Sequence, residues 1–204
     1  MTIGKYLLNI GSAAFIALAA REAIAEEFGR VNGYYDTRGR YTGGIEGGAT
    51  NLPLGTKLFG FVDVETEGES DILTKPYGEI RLTKRGESGI GIAGEYNGDF
   101  DKSNTTRLGL TYEPDTPEGT RLGTKFYPVS DGAGMQAGIS GRYDITDDTW
   151  VEAFWDYNFG PSKHVAEVQV GKTIKDNVAL VAEGRYNEFA DDEFGVGIGL
   201  DWSF

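Results

Sequence analysis

The chain has 204 residues, which suits one domain, and it has no cysteine, so disulfide frameworks and thiolate metal sites are excluded. Its formal net charge of −13 argues against nucleic-acid binding, which needs clusters of Lys and Arg. Glycine is abundant, at 31 residues against only 6 prolines, and the glycines lie within alternating segments, which is typical of strand interiors rather than of disorder.

Residues 1–25 have the pattern of a secretory signal peptide. Lys5 supplies a positive start, Tyr6 to Ala20 is mostly apolar, and Ala23-Ile24-Ala25 forms an A-x-A cleavage site. The apolar run is too short for a membrane-spanning helix, which needs about 20 residues. Arg21 and Glu22 leave an alternative open, an amphipathic helix that stays on the mature protein as a plug. We therefore predict a signal peptide over 1–25 and one domain over 26–204.

From residue 26 to the end, apolar and polar residues alternate with a period of two, the pattern of strands that have one apolar face. The hydrophobic residues, 39% of the chain, mostly occur singly, so the strands bury little unless their apolar faces meet an apolar partner such as a bilayer. We predict an all-β domain of about twelve strands joined by short polar turns, covering residues 27–36, 40–50, 56–66, 76–84, 89–97, 104–113, 120–128, 134–145, 149–159, 163–174, 177–188 and 194–204.

The last eleven residues, 194–204, show this alternation most strictly. The even positions are all apolar, and the odd positions are Gly, Asp or Ser. Eleven residues is also the length that a tilted strand needs to cross a bilayer. This segment, with its aromatic Trp202 and terminal Phe204, resembles the closing strand of bacterial outer-membrane β-barrels, which end on a Phe that the assembly machinery recognises. The chain as a whole resembles the small, porin-like members of that class.

The resemblance implies an antiparallel up-and-down transmembrane β-barrel in a Gram-negative-type outer membrane. Its partners would be membrane lipid and, through the C-terminal strand, the barrel-assembly machinery. An even number of strands places both termini on the periplasmic side. Aromatic residues near strand ends suit the two membrane–water interfaces, and an ordinary sandwich core with aromatic pairs is the alternative. We predict as interface residues Trp155, Tyr157, Trp202 and Phe204.

The polar faces of the strands then point into the barrel. By this register the inward acids are Asp36, Glu46, Asp63, Glu65, Glu79, Glu95, Glu113, Asp144, Glu152, Asp156, Glu167, Glu183 and Asp201, and the inward bases are Arg30, Arg81, Arg107, Arg121, Lys125, Arg142 and Arg185. Because isolated charges are costly to bury, either water fills this interior or the charges pair with one another. Twelve strands lie between the eight-stranded barrels that side chains fill and the sixteen-stranded open porins.

The acidic excess therefore predicts a narrow, cation-preferring channel for the passive diffusion of small hydrophilic solutes or ions, with no cofactor. As pore-lining residues we predict Glu79, Arg81, Glu95, Arg107, Arg142, Glu152, Glu183 and Arg185. Two alternatives remain open. One is a closed structural or adhesion barrel without transport, and the other is a soluble exported barrel.

Catalysis is a further alternative, since some outer-membrane acyl hydrolases place a Ser–His pair on the lipid face of a barrel. His164 is the one histidine of the chain, and Ser162 lies two residues before it. No other feature marks a nucleophile, so we predict that the protein is not an enzyme. The acidic loop residues Asp99, Asp101 and 191–193 lack the ligand spacing of a calcium loop, so we predict solvated turns and no metal site.

Overall fold

The computed structural model describes residues 26–52, 56–66, 73–86, 88–99, 103–132 and 134–204. The predicted signal peptide lies outside the described residues and stays a prediction. The strands are β1 (Glu26–Asp36), β2 (Tyr41–Leu52), β3 (Thr56–Thr66), β4 (Leu73–Arg85), β5 (Ile90–Asp99), β6 (Ser103–Tyr112), β7 (Thr120–Ser130), β8 (Gln136–Thr146), β9 (Thr149–Asn158), β10 (Lys163–Lys175), β11 (Val178–Asn187) and β12 (Phe194–Ser203).

The strands form one closed antiparallel barrel in which each strand pairs with its neighbours in sequence, and β12 pairs with β1 to close the ring. The closing seam continues beyond the end of β12, where Phe204 and Gly29 exchange two backbone hydrogen bonds of 2.9 and 3.0 Å. The structure thus confirms the predicted fold class and the strand number. Within the described part of the chain, no helix is both long and apolar enough to span a membrane.

The strand boundaries agree with prediction to within about three residues. The largest difference is at β4, which begins at Leu73 rather than at residue 76. Pro76 has no N–H to donate, yet its backbone stays in register with Val64 of β3, and Lys75 stays in register with Glu65. The pairing therefore runs past the proline, and the connection between β3 and β4 is shorter than the sequence suggested.

The alternation sorts side chains onto two faces of the wall as predicted. Leu108, Ile198 and Trp202 are 57%, 56% and 52% exposed on the outer face. Inward neighbours of the same strands are buried, including Arg107 at 6% and Asp201 at 2%. The outside of the barrel is therefore an apolar band, and the polar groups are collected inside, which is the arrangement of a transmembrane barrel.

Inward glycines make room for large inward rings on neighbouring strands. A Cβ atom on Gly199 of β12 would contact the Tyr34 ring of β1, and one on Gly171 of β10 would contact the Trp150 indole of β9. Tyr34 and Trp150 are 4% and 6% exposed and pack with Ala179 and Val181 in a small buried cluster. Glycine in these strands thus accommodates close packing on the inner face.

Candidate functional site: the barrel lumen

The barrel encloses a cavity of about 1360 Å³ whose lining is dominated by charged and hydrogen-bonding side chains. Five of the eight predicted pore-lining residues border it: Glu79, Arg81, Arg107, Glu152 and Arg185. Arg142 also faces inward, with its guanidinium carbon 4.5 Å from the centre of the Trp150 ring. The side chains of Glu95 and Glu183 face inward too, but at 1% and 3% exposure they are covered by their partners. That the eight line a conducting pore stays a prediction.

One group of inward charges, the neutral cluster, follows the wall from β4 to β9. Glu95 lies at its centre, 2.7 Å from Arg107 and 3.5 Å from both Arg81 and Lys125. Arg81 also pairs with Glu79 at 2.5 Å, and Lys125 pairs with a sixth member, Asp156, at 2.9 Å. Three acids and three bases balance, so this cluster has no net charge. Each of its ion pairs joins residues of one strand, of adjacent strands, or of strands with one strand between them.

A second group, the acidic cluster, covers the wall from β8 through β12 and β1 to β2. It has three arginines and six acids, namely Arg30, Arg142 and Arg185 with Glu46, Asp144, Glu152, Glu167, Glu183 and Asp201. Two neutral groups connect its halves. Tyr34 donates to Asp201 at 2.6 Å, and Gln169 donates to Glu183 at 2.7 Å and to the Tyr34 hydroxyl at 3.4 Å. With both carboxylates and guanidinium groups ionised, this cluster carries a net charge of about −3.

Arg30 makes the longest connection in the acidic cluster. It pairs with Glu46 on β2 at 2.7 Å and with Asp201 on β12 at 3.2 Å, both on adjacent strands. It also reaches Glu152 on β9 at 3.8 Å, although β12, β11 and β10 separate β1 from β9 along the wall. The sequence identified Arg30 as an inward base but did not indicate this contact, because it joins strands that are not paired.

The sequence interpretation also omitted four bases at the lumen. Lys57 lies inward on β3 and pairs with Glu113 at 2.6 Å, and Lys163 lies inward on β10 beside Asn158 of β9. Arg38 and Arg40, in the β1–β2 loop, border the cavity. Period-two alternation alone places Lys57 and Lys163 inward, so the signal for these two was present. The excess of acids over bases is consequently smaller than predicted and is concentrated in the acidic cluster.

His164 does not form a Ser–His pair in this structure. The Ser162 hydroxyl donates to the Phe159 carbonyl at 3.4 Å, whereas Nδ1 of His164 accepts the Trp155 indole N–H at 3.2 Å. The His164 backbone N–H donates to Glu188, and together with a hydrogen bond from a tyrosine hydroxyl it lowers the pKa of that carboxyl below its usual value. The imidazole is thus part of an aromatic group rather than of a hydrolytic arrangement.

No group of three His, Cys, Asp or Glu side chains in the described part of the chain is arranged to hold a metal ion. Asp101, one of the acidic loop residues considered for calcium, lies outside the described residues.

The predicted interface aromatics all lie on the outer face. Trp202 and Phe204 are in contact with ring centres 5.3 Å apart at the N- and C-terminal end of the barrel, and Trp155 stacks on Tyr157 at 6.4 Å toward the opposite end.

No protein-family model matches the sequence, and no curated protein sequence matches it either. Solved structures do match its shape. The KdgM porin is 11% identical with a TM-score of 0.60, covering 86% of this chain and 99% of its own. Omp33 from Acinetobacter baumannii is 12% identical with a TM-score of 0.50, covering 90% and 100%. An active-site variant of outer membrane phospholipase A from Escherichia coli is 13% identical with a TM-score of 0.59, covering 87% and 90%.

This chain has the fold of an outer-membrane β-barrel. At identities of 11–13% the likeness concerns the fold alone, and both porins and a phospholipase share it. Function must therefore be argued from the side chains of this barrel. Recognition of its last strand by the assembly machinery stays a prediction.

Proposed function

We propose that the protein is a passive channel for small hydrophilic solutes and ions. The observation that carries this proposal is the charged cavity of about 1360 Å³ inside a wall whose outer face is apolar. A cavity bordered by this many ionised groups favours water over emptiness or apolar filling, because bare charges are costly away from water. The Glu152 side chain is 42% exposed although it points into the barrel, which supports a wet interior.

We further propose that the channel is narrow and prefers cations or neutral solutes. The neutral cluster contributes no net charge, so the three unbalanced carboxylates of the acidic cluster set the local potential. The KdgM porin has also been solved with disordered oligogalacturonate, which is a polyanion. A polyanionic ligand of this kind is disfavoured here, because an acidic lumen repels anions.

The test is the current across a planar bilayer that contains the purified protein under a salt gradient. We expect stepwise currents with a cation-selective reversal potential. Glu152→Lys should move that potential toward the value for anions, since it reverses a half-exposed charge in the lumen. Glu118→Lys makes the same charge change in the exposed β6–β7 turn and should have a much smaller effect.

A protein that folds and inserts but carries no current would contradict the channel and favour the closed barrel. Equal shifts from Glu152→Lys and Glu118→Lys would leave the channel intact and contradict selection by the acidic cluster. Glu183 is a poorer probe than Glu152, because its buried carboxylate bonds Gln169 and Arg185 and a lysine there would disturb the fold.

A further inference from the structure

The contact between Arg30 and Glu152 crosses the lumen. Twelve strands about 4.8 Å apart and tilted by about 40° make a regular barrel about 24 Å wide, with about 21 Å between strands four positions apart. β1 and β9 are four positions apart around the ring, yet their Arg30 and Glu152 side chains approach to 3.8 Å. Two side chains cannot bridge that regular spacing, so β1 and β9 also lie closer together here, as the shared buried cluster of Tyr34 and Trp150 shows, and the two side chains meet in the lumen between them.

The contact is part of a continuous chain of ion pairs. On one side Arg30 is held by Glu46 of β2, and on the other Glu152 is 3.7 Å from Arg142 of β8, which pairs with Asp144 at 2.9 Å. β2 and β8 are six positions apart, which is half of the ring. The chain of ion pairs thus runs between opposite walls of the barrel.

Beside this chain the lumen is closely packed toward strands β10–β12. Five inward side chains there are at most 4% exposed, namely Tyr34, Gln169, Val181, Glu183 and Asp201, whereas Glu167 and Arg185 are 18% exposed and border the cavity. On the other side the cavity is bordered by half-buried side chains of β3, including Phe59, Phe61 and Asp63. A solute that crosses the barrel would therefore pass on the β3 side of the ion-pair chain.

We propose that the Arg30–Glu152 ion pair sets the width of the passage and so the largest solute that the channel admits. This inference rests on the proposed channel function and assigns its size limit to two residues. Arg30 is the anchored member, with 15% of its side chain exposed and carboxylates of β2 and β12 beside it. Glu152 is the more exposed member, and its ion pairs with Arg30 and Arg142 are longer, at 3.8 and 3.7 Å.

Single-channel conductance and cation-to-anion permeability should be measured for the wild type, Arg30→Ala and Glu152→Ala. If the ion pair limits the width, both variants should raise the conductance, by about 1.5-fold or more, because either change opens the cross-section. Their selectivities should move in opposite directions, since one variant removes a positive charge and the other a negative charge. If the pair acted through its charges alone, the conductance would not rise in both variants. The cation current would then rise in Arg30→Ala and fall in Glu152→Ala.

Arg121→Ala is the matched control, because Arg121 lies on the inward face of β7 beside Arg142 and takes no part in the crossing. It should leave the conductance near that of the wild type. Glu152→Ala is the variant that disturbs the fold less, because Arg30 keeps its ion pairs with Glu46 and Asp201. Heat-modifiable migration on gels checks that each variant folds.

Four outcomes are distinguishable. A silent wild type with conducting Arg30→Ala and Glu152→Ala variants would support the ion pair as the restriction while contradicting an open channel. A conducting wild type with unchanged variants would overturn the width proposal and leave the channel standing. Conductance changes of opposite sign would overturn it in favour of charge alone. Silence of all three proteins would overturn both proposals, because the lumen would then be closed elsewhere.

Discussion

At the scale of single residues, inward glycines decide which rings the lumen wall can hold. Gly199 faces the Tyr34 ring across the β1–β12 pair, and this contact supports the hydrogen bond from Tyr34 to Asp201. Asp201 in turn pairs with Arg30, the anchored member of the lumen crossing. A glycine in the last strand thus affects the position of an arginine on β1 through two intervening side chains.

Gly199→Ala should destabilise the barrel by about 1–3 kcal/mol, because the added methyl group overlaps the Tyr34 ring and the Gly33 carbonyl oxygen. The free energy of unfolding in urea, followed by tryptophan fluorescence, measures this loss. Gly33→Ala is the matched control on the paired strand, since a Cβ atom there meets nothing within 4 Å. Equal free energies of unfolding for Gly199→Ala and Gly33→Ala would contradict the expected overlap with the Tyr34 ring.

At the scale of elements, the tight turns between strands are stabilised by their own side chains. The turn between β8 and β9 contains Asp148, which accepts hydrogen bonds of 2.7 Å from Thr146 and 2.8 Å from Thr149. Lys172 of the neighbouring β10 adds an ion pair at 3.4 Å. In order of size, these three contacts lower the pKa of Asp148 from 3.8 to about 2. The β8–β9 turn therefore contacts the neighbouring strand β10 as well as the ends of its own two strands.

A lowered pKa makes the stabilisation from Asp148 depend on pH. It is fully present above the unfolded-state value of 3.8, and it is lost as the pH falls through about 2. Unfolding free energies measured from pH 6 downward should therefore show wild type above Asp148→Asn, with the gap closing between about pH 4 and pH 2. Thr146→Val removes the hydrogen bond that lowers the pKa of Asp148 most, so the pH range over which the gap closes should become narrower. Parallel profiles for wild type and Asp148→Asn would contradict the assignment.

At the scale of the whole molecule, the barrel inverts the usual distribution of side chains. Its exposed outer face holds the large apolar groups, and its interior holds ion pairs and water-accessible polar groups. Such a surface suits hydrocarbon, whereas a soluble exported barrel would carry it at the risk of association. A membrane barrel and a soluble barrel differ in how much a charge on the outer face lowers the free energy of unfolding.

Leu108→Arg tests the membrane location directly. Leu108 is 57% exposed near the middle of β6, so in a bilayer the arginine should cost about 2–4 kcal/mol at the midplane. Refolding into lipid vesicles with increasing urea measures the change. Ser140→Arg, an exposed inward position near the middle of β8, should cost much less. A small cost at Leu108 would favour a soluble barrel.

Much of this architecture could be predicted because β-strand alternation is a local property. Each strand shows its two faces in about ten consecutive residues, so the register of Val31 and Tyr35 outside and Arg30 and Tyr34 inside needed no knowledge of distant residues. The same alternation placed the charges of the candidate site inside the barrel. It also placed Lys57 and Lys163 inside, and the predicted acidic excess was too large because these bases were not counted.

The sequence by itself determined the strands, their order and the two faces, because period-two patterning and short turns leave little choice of pairing. Only the tertiary structure decided which charges meet. Arg30 and Glu152 are 122 positions apart and lie on strands that never pair, so no local pattern relates them. Their contact depends on closure of the ring, on the packing of Tyr34 over Gly199 and on the reach of two long side chains across one lumen.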